Sequence, residues 1–441
     1  MNDKREETTI SRLQCGTIKT ECEIMAGKIR VGVFGAGRGA YLGTTVEPAG
    51  MELVAICDLF EPLLAQAKRT LKNSAVTFYT DYGKFLEHDL DAVIVANYAT
   101  EHAPAAIRAL QAGKHVLSEC MAVFTPAEAV ALVEAVETSG KVYMFAENYP
   151  FAAANLEMRR LYQSGELGEF QYGEGEYIHP IPLSESVGLC SGPSHWRAWL
   201  PITYYCTHSM GPVMLITGTR PTQVGGFVVP YDEHDPRRTE QINKMDTASI
   251  LMCRMDNGGW AKIIPWAFLR DHGNRVRICC SRGSMECNQA EDGLLRVRRE
   301  PFDFPDAKAS TEFYRPRFPA EFASAAGFSH GGGDFFTGYY FAKAIRENSR
   351  PIIDVYMALD MTLIGIQGYR SALAGGMPMP IPDFRDQAVR DAYRHDDWNP
   401  DPARPCRDKP SASIRGDIAV SPETERHFMD LRRDYEKSLA E

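Results

Sequence analysis

The chain lacks the patterns that mark membrane, metal-binding and nucleic-acid-binding proteins. Residues 1–28 are polar and charged, without an apolar run long enough for a signal peptide or a membrane span. No C-x-x-C pair and no H-E-x-x-H pattern occurs, so the sequence predicts no metal site. Basic residues are outnumbered, because 48 Lys and Arg face 58 Asp and Glu and give a net charge of −10. That balance argues against nucleic acid as a partner.

A disulfide framework is also missing. The 11 cysteines are an odd number without regular spacing, and several lie in apolar stretches: Cys57, Cys253, Cys279 and Cys280. This usage suits small buried side chains in a reducing compartment, so we predict a cytoplasmic protein with no membrane partner. With 441 residues, 44 % of them hydrophobic, the chain is long enough for two domains with sizeable cores.

The stretch from residue 29 to 58 has the order of a dinucleotide-binding unit. An apolar strand over 29–34 leads directly into a glycine-rich turn: Gly35, Ala36, Gly37, Arg38, Gly39 and Ala40. A second apolar strand over 53–57 ends in Asp58. The glycines allow a tight turn and close approach of a pyrophosphate to a helix N-terminus, and the carboxylate bonds the ribose hydroxyls. Leu59 and Phe60 follow Asp58, so no Arg is present there for a 2′-phosphate, and we predict NAD as the cofactor.

Alternating strands and helices continue to residue 150 and predict a doubly wound parallel sheet. Beyond it, strand-like runs over 223–298 follow one another without helices, with a hairpin signal at 256–259, and predict an antiparallel sheet. Residues 178–205 are rich in Pro, Ser, Gly and Trp and suggest a binding loop. Helices are expected at 334–347, 355–374 and 423–439. The predicted divisions are an N-terminal extension (1–28), a Rossmann domain (29–150), an α+β substrate domain (151–384) and a C-terminal extension (385–441).

These features resemble the glucose–fructose oxidoreductase / inositol dehydrogenase / MocA (Gfo/Idh/MocA) family. Its members join an N-terminal NAD(P) domain to a C-terminal domain with an open antiparallel sheet, and the likeness covers about residues 29–384. The strand after Gly113-Lys114-His115 ends in Glu-Lys-Pro in that family, but here it ends in Glu119-Cys120-Met121. The lysine that usually exchanges a proton with the substrate hydroxyl is therefore absent.

Seven short motifs resemble one branch of the family, the NAD-dependent α-N-acetylgalactosaminidases, which also lack that lysine. They occur in the same order: ENY at 147–149, GEGEYIH at 173–179, HWR at 195–197, YCTHSMGP at 205–212, HGGGDF at 330–335, IDVY at 353–356 and PDF at 382–384. A tyrosine of those glycosidases falls near Gly273 and Asn274 here. The preference for N-acetylgalactosamine is therefore not carried over.

The resemblance implies four catalytic candidates. His208 matches the family's catalytic histidine at a helix start, and imidazole titrates near neutral pH, although an isolated histidine is more often structural. Tyr177 is the candidate for a second proton transfer, which requires a nearby cation to stabilise its anion. His179 is either catalytic or orients its neighbours. Glu119 positions the nicotinamide or the substrate.

Further residues are assigned to ligand contacts. On the cofactor side, besides the glycine turn, Asp58 and Glu119, we expect Asn97, His102, Glu147 and Asn148, which follow strand ends. On the substrate side we expect Arg197, Trp196, Tyr205, His330 and Asp334. Three alternatives stay open: a surface ion pair for Arg197, a helix-start role without ligand contact for His102, and a plain N-cap for Asp334.

We therefore expect an NAD-dependent carbohydrate enzyme that removes a hydride from a ring hydroxyl, at C3. The favoured outcome is glycoside cleavage by a redox-neutral sequence of oxidation, elimination, addition and reduction. One alternative is a net sugar or polyol dehydrogenase in which His208 replaces the missing lysine. Another is a non-catalytic NAD-sensing protein. The family's exposed sheet face implies a homo-oligomer, a dimer or a tetramer. The sequence does not name the sugar, its anomer or the leaving group.

Overall fold

The computed structural model describes residues 27–71, 73–288, 293–303 and 308–440. Apart from its last two residues, the N-terminal extension predicted over 1–28 lies outside the described residues. None of the helices in the described ranges is long and apolar enough to cross a membrane.

The first sheet is parallel and doubly wound. Its strands are β1 Ile29–Phe34, β2 Met51–Cys57, β3 Thr77–Tyr79, β4 Ala92–Val95, β5 His115–Ser118 and β6 Tyr143–Phe145. Between them lie α1 Arg38–Thr45, α2 Glu61–Leu71, α3 Tyr82–Leu86, α4 His102–Gln111 and α5 Pro126–Ser139. The strand order is β3-β2-β1-β4-β5-β6, which confirms the predicted Rossmann sheet and places its switch point between β1 and β4. Every residue of β4 is buried, as expected for a strand covered on both faces.

Local signals explain why these helices begin where they do. The Thr125 side chain accepts a hydrogen bond from the Glu128 backbone N–H (3.1 Å), and Pro126 occupies the first helical position of α5. The Glu128 carboxylate accepts in turn from the Phe124 backbone N–H (2.8 Å). This reciprocal cap satisfies backbone N–H groups at the start of α5 that the helix itself leaves unpaired.

The second sheet has nine strands among the described residues. They are β7 Phe170–Ile178, β8 Pro221–Val229, β9 Ala248–Met255, β10 Trp260–Ala267, β11 Arg275–Cys280, β12 Gly283–Asn288, β13 Leu295–Arg299, β14 Ser310–Tyr314 and β15 Met379–Pro380. The order is β14-β13-β12-β11-β7-β10-β9-β8-β15, and only the central β7–β10 pair is parallel. The mainly antiparallel sheet and the hairpin between β9 and β10 are therefore confirmed.

Helices cover one face of this sheet. The remaining helices are α6 Ala153–Gln163, α7 Leu183–Leu189, α8 Trp196–Trp199, α9 Thr207–Thr217, α10 Gly333–Glu347, α11 Val355–Leu373, α12 Gln387–Tyr393 and α13 Pro422–Ala440. Every residue of α9 is buried between the sheet at β7 and the 3-10 turn that follows β6. Helix α11 packs on β8. The helices predicted at 334–347, 355–374 and 423–439 are confirmed within one residue, whereas the predicted binding loop over 178–205 contains the short helices α7 and α8.

The opposite face of the nine-stranded sheet is open among the described residues. Phe227, Ile250 and Trp260 are 54 %, 40 % and 42 % exposed on neighbouring strands. Further across the same face, Glu174 pairs with Lys262 (2.7 Å) and Arg277 (3.6 Å). The outer face therefore combines exposed apolar side chains with a row of opposite charges.

The C-terminal helix α13 joins the two parts of the molecule. It packs against α2 of the first sheet and against α7, beside the second. The Arg432 guanidinium, 5 % exposed, donates to the carbonyls of Val187 (2.8 Å) and Gly188 (3.1 Å) in the last turn of α7. Those carbonyls have no partner within α7, so Arg432 caps the helix from outside.

We expect Arg432→Ala to lower the stability of the protein. The change leaves two largely buried carbonyls unpaired, which costs about 1–3 kcal/mol per group. Thermal unfolding followed by calorimetry measures the loss. Arg433→Ala is the matched control, because Arg433 is exposed and, within the described part of the chain, its ion pair is with Asp430 on its own helix; it should change the stability by less than about 0.5 kcal/mol. Equal midpoints for the two variants would contradict this role of Arg432.

Candidate active site

A cavity of about 270 Å³ lies where the carboxyl ends of the first sheet meet helices α7 to α9. Many of the predicted residues line it: Arg38, Asn97, His102, Glu119, Asn148, Tyr177, His179, Trp196, Arg197, Tyr205, His208 and His330. The motifs that carry these residues are far apart in the chain, so the fold itself assembles the site.

The glycine turn has the shape that a dinucleotide requires. Gly35 has a φ of 107°, and a Cβ there would lie 2.2 Å from the Ala96 carbonyl oxygen, so no other residue fits. A Cβ on Gly39 would lie 2.4 Å from a Val33 methyl. Above Gly37, in contrast, the nearest atom to such a Cβ is 3.9 Å away, which leaves open space at the start of α1. The turn is thus tightly packed towards the sheet and open where a pyrophosphate approaches.

Asp58 lies next to this turn at the end of β2. Its carboxylate accepts hydrogen bonds from the backbone N–H groups of Ala36 (2.6 Å) and Phe60 (2.8 Å). Burial raises the pKa of Asp58, and these two bonds oppose that shift. Leu59, the next residue, is 73 % exposed and has no charge to offer a 2′-phosphate. The position and its surroundings fit the ribose of NAD.

Arg38 connects the glycine turn to the second part of the chain. Its guanidinium bonds Glu119 (3.1 Å) and both oxygens of Asp334 (3.0 and 2.5 Å). Asp334 is fully buried and also accepts from His330 (2.9 Å) and Asn148 (2.8 Å). Burial alone would raise the pKa of Asp334, but the bonds from His330 and Arg38 outweigh it and hold the pKa well below its usual value. Asp334 is therefore an anionic hub.

The N-cap alternative for Asp334 is wrong. The residue that precedes α10 is Gly332, and no side chain caps this helix. Asp334 lies in the first turn of α10 instead, where its charge faces Arg38 rather than the helix N-terminus.

His208 and Glu147 form a buried pair that joins the two sheets. Glu147 follows β6, and His208 is the second residue of α9. The His208 Nδ1 atom lies 2.7 Å from Glu147 Oε1, and its Nε2 atom lies 3.3 Å from the Tyr205 hydroxyl. Burial works against a charged Glu147, but the His208 charge and hydrogen bond outweigh it and lower the pKa of Glu147.

Two small residues make this contact possible. A Cβ on Gly211 would lie 2.8 Å from Glu147 Cγ, so the glycine of the YCTHSMGP motif leaves room for the glutamate. Cys120 stands where the family's lysine would be, and its thiol donates to Glu147 Oε2 (3.3 Å). Both Glu147 oxygens are therefore engaged by protein groups. We therefore infer that Glu147 positions His208 and does not contact the nicotinamide ribose.

Three tyrosines surround His208, and all are poor bases. The rings of Tyr177, Tyr149 and Tyr205 lie 4.7, 4.8 and 5.1 Å from the imidazole, between centroids. Burial raises the pKa of Tyr149 to about 12 and that of Tyr177 well above its usual 10. Arg197 lowers the pKa of Tyr177, but burial outweighs it. The Arg197 charge therefore does not stabilise the Tyr177 anion enough for it to act as a base, and the phenol stays protonated.

His179 differs from these phenols. Burial lowers its pKa from the usual 6.5, so the imidazole is neutral and able to accept a proton near neutral pH. Its ring lies 5.6 Å from that of Tyr177, and its Nδ1 atom is buried without a hydrogen-bond partner among the described residues.

Arg197 has no ion pair within the described ranges, and its guanidinium lies over the rings of Trp196 (4.3 Å) and Tyr205 (5.8 Å). These contacts favour the substrate-side assignment over the alternative of a surface ion pair. A stacked cation at the cavity wall is available to a polar oxygen of a ligand.

His102 and Asn97 both lie on the cofactor side, but they differ in whether their polar side-chain atoms already have hydrogen-bond partners. Both ring nitrogens of His102 are near backbone oxygens, those of Met121 (2.9 Å) and Asn97 (3.1 Å). His102 thus fixes the backbone around the crevice, in keeping with the alternative in which it makes no ligand contact. The side-chain oxygens of Asn97 and Asn148 are buried without a partner in the described structure, and a nicotinamide ribose or amide would satisfy them.

Sequence reasoning missed two contributors. Tyr149 belongs to the ENY motif, but only the fold shows its ring against Tyr177, His208 and His330. The sequence analysis named Asn274 only as lying near the position of a tyrosine in the glycosidase branch. In the structure, Asn274 hydrogen-bonds Tyr149. The position near Gly273 that a tyrosine occupies in the glycosidase branch therefore borders this site through an amide.

Family models match both ends of this arrangement. Residues 29–147 match the model described as an oxidoreductase family with an NAD-binding Rossmann fold, Gfo/Idh/MocA. Residues 306–390 match the C-terminal domain of glycosyl hydrolase 109. Residues 29–147 are therefore an NAD-binding Rossmann domain similar to that of the Gfo/Idh/MocA oxidoreductases.

Relatives of this chain are named for glycoside hydrolysis. A glycosyl hydrolase family 109 protein of Solibacter usitatus is 23 % identical over 81 % of this chain and 88 % of its own length. One of Saccharopolyspora erythraea is 26 % identical over 81 % of this chain and 83 % of its own.

Solved structures share the fold. An oxidoreductase domain protein from Kribbella flavida has a TM-score of 0.69 at 22 % identity, covering 81 % of this chain and all of its own. A levoglucosan dehydrogenase, in complex with NADH and levoglucosan, has a TM-score of 0.68 at 20 % identity with the same coverage.

Proposed function

We propose that this protein cleaves glycosides by transient oxidation of a ring hydroxyl, at C3 of the sugar. The observation that supports it most directly is the His208–Glu147 pair, because it supplies a base in a crevice whose usual lysine is replaced by Cys120. When bound, NAD accepts a hydride from the sugar and later returns it. The protein's own task is to move protons and to hold the sugar in place.

His208 takes the hydroxyl proton in this proposal. Glu147 accepts the Nδ1–H, which leaves the Nε2 lone pair on the cavity side and stabilises the imidazolium that forms. The protonated Tyr205 next to Nε2 donates to the same substrate oxygen or to His208. With His208 as the base and Tyr205 as the donor, proton transfer from the hydroxyl does not require the lysine that the family usually has.

His179 takes the second proton, the one on C2 that the neighbouring ketone acidifies. The C2–H electron pair then forms a C1–C2 double bond and expels the group on C1, and water adds across that double bond before the ketone is reduced again. The sequence favoured Tyr177 for this step, but burial keeps that phenol protonated and His179 neutral. Tyr177 acts instead as a donor between the two histidines, with its ring 5.6 Å from His179 and 4.7 Å from His208. Arg197 binds a sugar oxygen at the wall.

A net dehydrogenase is the second candidate. The same His208–Glu147 pair would serve the oxidation step alone, and a dehydrogenase of levoglucosan shares the fold. The two functions differ only in the steps after the first hydride transfer, so product analysis distinguishes them.

We expect the protein, supplied with NAD and a panel of nitrophenyl glycosides and free sugars, to release nitrophenol without lasting absorbance at 340 nm. His208→Ala should reduce turnover about 100-fold or more, since general-base catalysis contributes 10²–10⁴-fold. His395→Ala is the matched control, because His395 is exposed and is not among the residues that line the cavity. Steady NADH formation without bond cleavage would select the dehydrogenase, and full activity of His208→Ala would refute both enzymes.

In deuterated water, the product should carry deuterium at C2. We expect His179→Ala to abolish this incorporation, and Tyr177→Phe to slow turnover while the label still appears, since a protonated phenol does not remove the C2 proton. Mass spectrometry and NMR of the released sugar provide the measurement. Label lost in Tyr177→Phe but kept in His179→Ala would return the base role to Tyr177.

We further propose a homo-oligomer that buries the outer sheet face. Its exposed Trp260, Ile250 and Phe227 would otherwise meet water, and the charge row at Glu174 can pair with a second copy. Sedimentation velocity at micromolar protein should show a species larger than the 49.2 kDa chain. A single species of monomer mass would contradict this.

A further inference from the structure

Three potential metal ligands lie close together in the site, and one of them is His208 itself. The Cys120 thiol, the Glu147 carboxylate and the His208 Nδ1 atom all lie within 4.8 Å of one another. Within the described ranges, no other group of three or more such residues lies close enough to share one ion. The Sγ···Oε2 distance is 3.3 Å and the Nδ1···Oε1 distance is 2.7 Å. All three residues are at least nine-tenths buried.

We propose that Cys120, Glu147 and His208 form a zinc-binding site that shuts off the catalytic base. Thiolate, imidazole and carboxylate are the protein ligands of Zn²⁺, whereas Mg²⁺ and Ca²⁺ prefer oxygen alone. One carboxylate and one thiolate balance the charge of the ion. The Thr207 side chain hydrogen-bonds both Cys120 and Glu147, so a hydroxyl is available next to the fourth position.

The ligand atoms lie near the spacing of a zinc site. Ligand atoms around a tetrahedral zinc ion are about 3.3–3.8 Å apart, as the bond lengths of about 2.0–2.3 Å require. The Cys120 thiol is 3.3 Å from Glu147 Oε2, whereas the His208 Nδ1 atom is 2.7 Å from Oε1 and must move away by about half an ångström. The ligand atoms of all three residues lie within 4.8 Å of one another, so those farthest apart must approach by up to about 1 Å. Cys120 and His208 both line the cavity.

Zinc at this position changes the chemistry of His208. The ion takes the Nδ1 lone pair, so the ring proton moves to Nε2, the atom that must accept a proton in catalysis. The thiol proton is released to solvent. A dehydrogenase with lysine at position 120 has no such thiol, so this sensitivity is specific to a chain with cysteine there. Only the effect on turnover depends on the proposed function; the binding of zinc does not.

The test is calorimetric titration of chelator-treated protein with ZnCl₂. We expect one equivalent to bind, and the isosteric variant Cys120→Ser to weaken binding about 100-fold or more, since loss of even outer-shell partners costs 10–100-fold. Cys190→Ser is the matched control, because Cys190 is similarly buried but its thiol bonds the Gly192 carbonyl and belongs to no group of metal ligands among the described residues; its zinc affinity should equal that of the parent chain. MgCl₂ should produce no binding heat.

Cobalt supplies a second, spectroscopic measurement. Co²⁺ in place of zinc should show a near-ultraviolet thiolate charge-transfer band in the parent chain, lost in Cys120→Ser and kept in Cys190→Ser. In glycoside assays, zinc should inhibit with the affinity found by calorimetry. Absence of saturable zinc binding, equal zinc affinity in Cys120→Ser, or a cobalt spectrum without a thiolate band would each overturn the proposal. If no glycoside is turned over while zinc still binds through Cys120, the metal site stands and the glycosidase proposal falls.

Discussion

The arrangement of this site depends on one hydrogen bond, between His208 Nδ1 and Glu147 Oε1, at 2.7 Å in the protein interior. A carboxylate without a partner is costly to bury, so Glu147 stays charged only because the histidine faces it. The bond links the end of β6 in the parallel sheet to the start of α9 on the antiparallel sheet. It therefore fixes both the spacing of β6 and α9 and the tautomer of the imidazole.

A second bridge supports the first from the cofactor side. Arg38 leaves the glycine turn and meets Asp334 at the start of α10, and Asn148 and His330 complete the shell of that carboxylate. Asn148 is the neighbour of Glu147 in the chain. Two buried anions are thus held side by side, each by a cation or imidazole from another element. This arrangement restricts the motion of the crevice wall against which the proposed sugar would lie.

Local patterns predicted much of this molecule, and they failed where contacts are long-range. The glycine turn, Asp58 and the Thr125 cap depend on neighbours a few residues away or on a single βαβ unit, so spacing alone identifies them. The partner of His208 is 61 residues away in the chain and that of Arg38 is 296 away, and no spacing rule relates them. The same limit explains Tyr177. Its residue type suggested a base, but the surrounding rings that desolvate it belong to motifs whose proximity only the fold determines.

Helix α13 has a consequence for the order in which the molecule is built. Domains fold from the N-terminus as the chain is synthesised, so β1 to β6 and the first strands of the second sheet can pair early. The wall at α7 is made with them, but Arg432, which bonds the Val187 carbonyl in that wall, lies 245 residues further along the chain and leaves the ribosome later. A nascent chain therefore carries most of its nucleotide crevice before Arg432 can hold the end of α7, and that wall of the cavity becomes firm only when α13 docks.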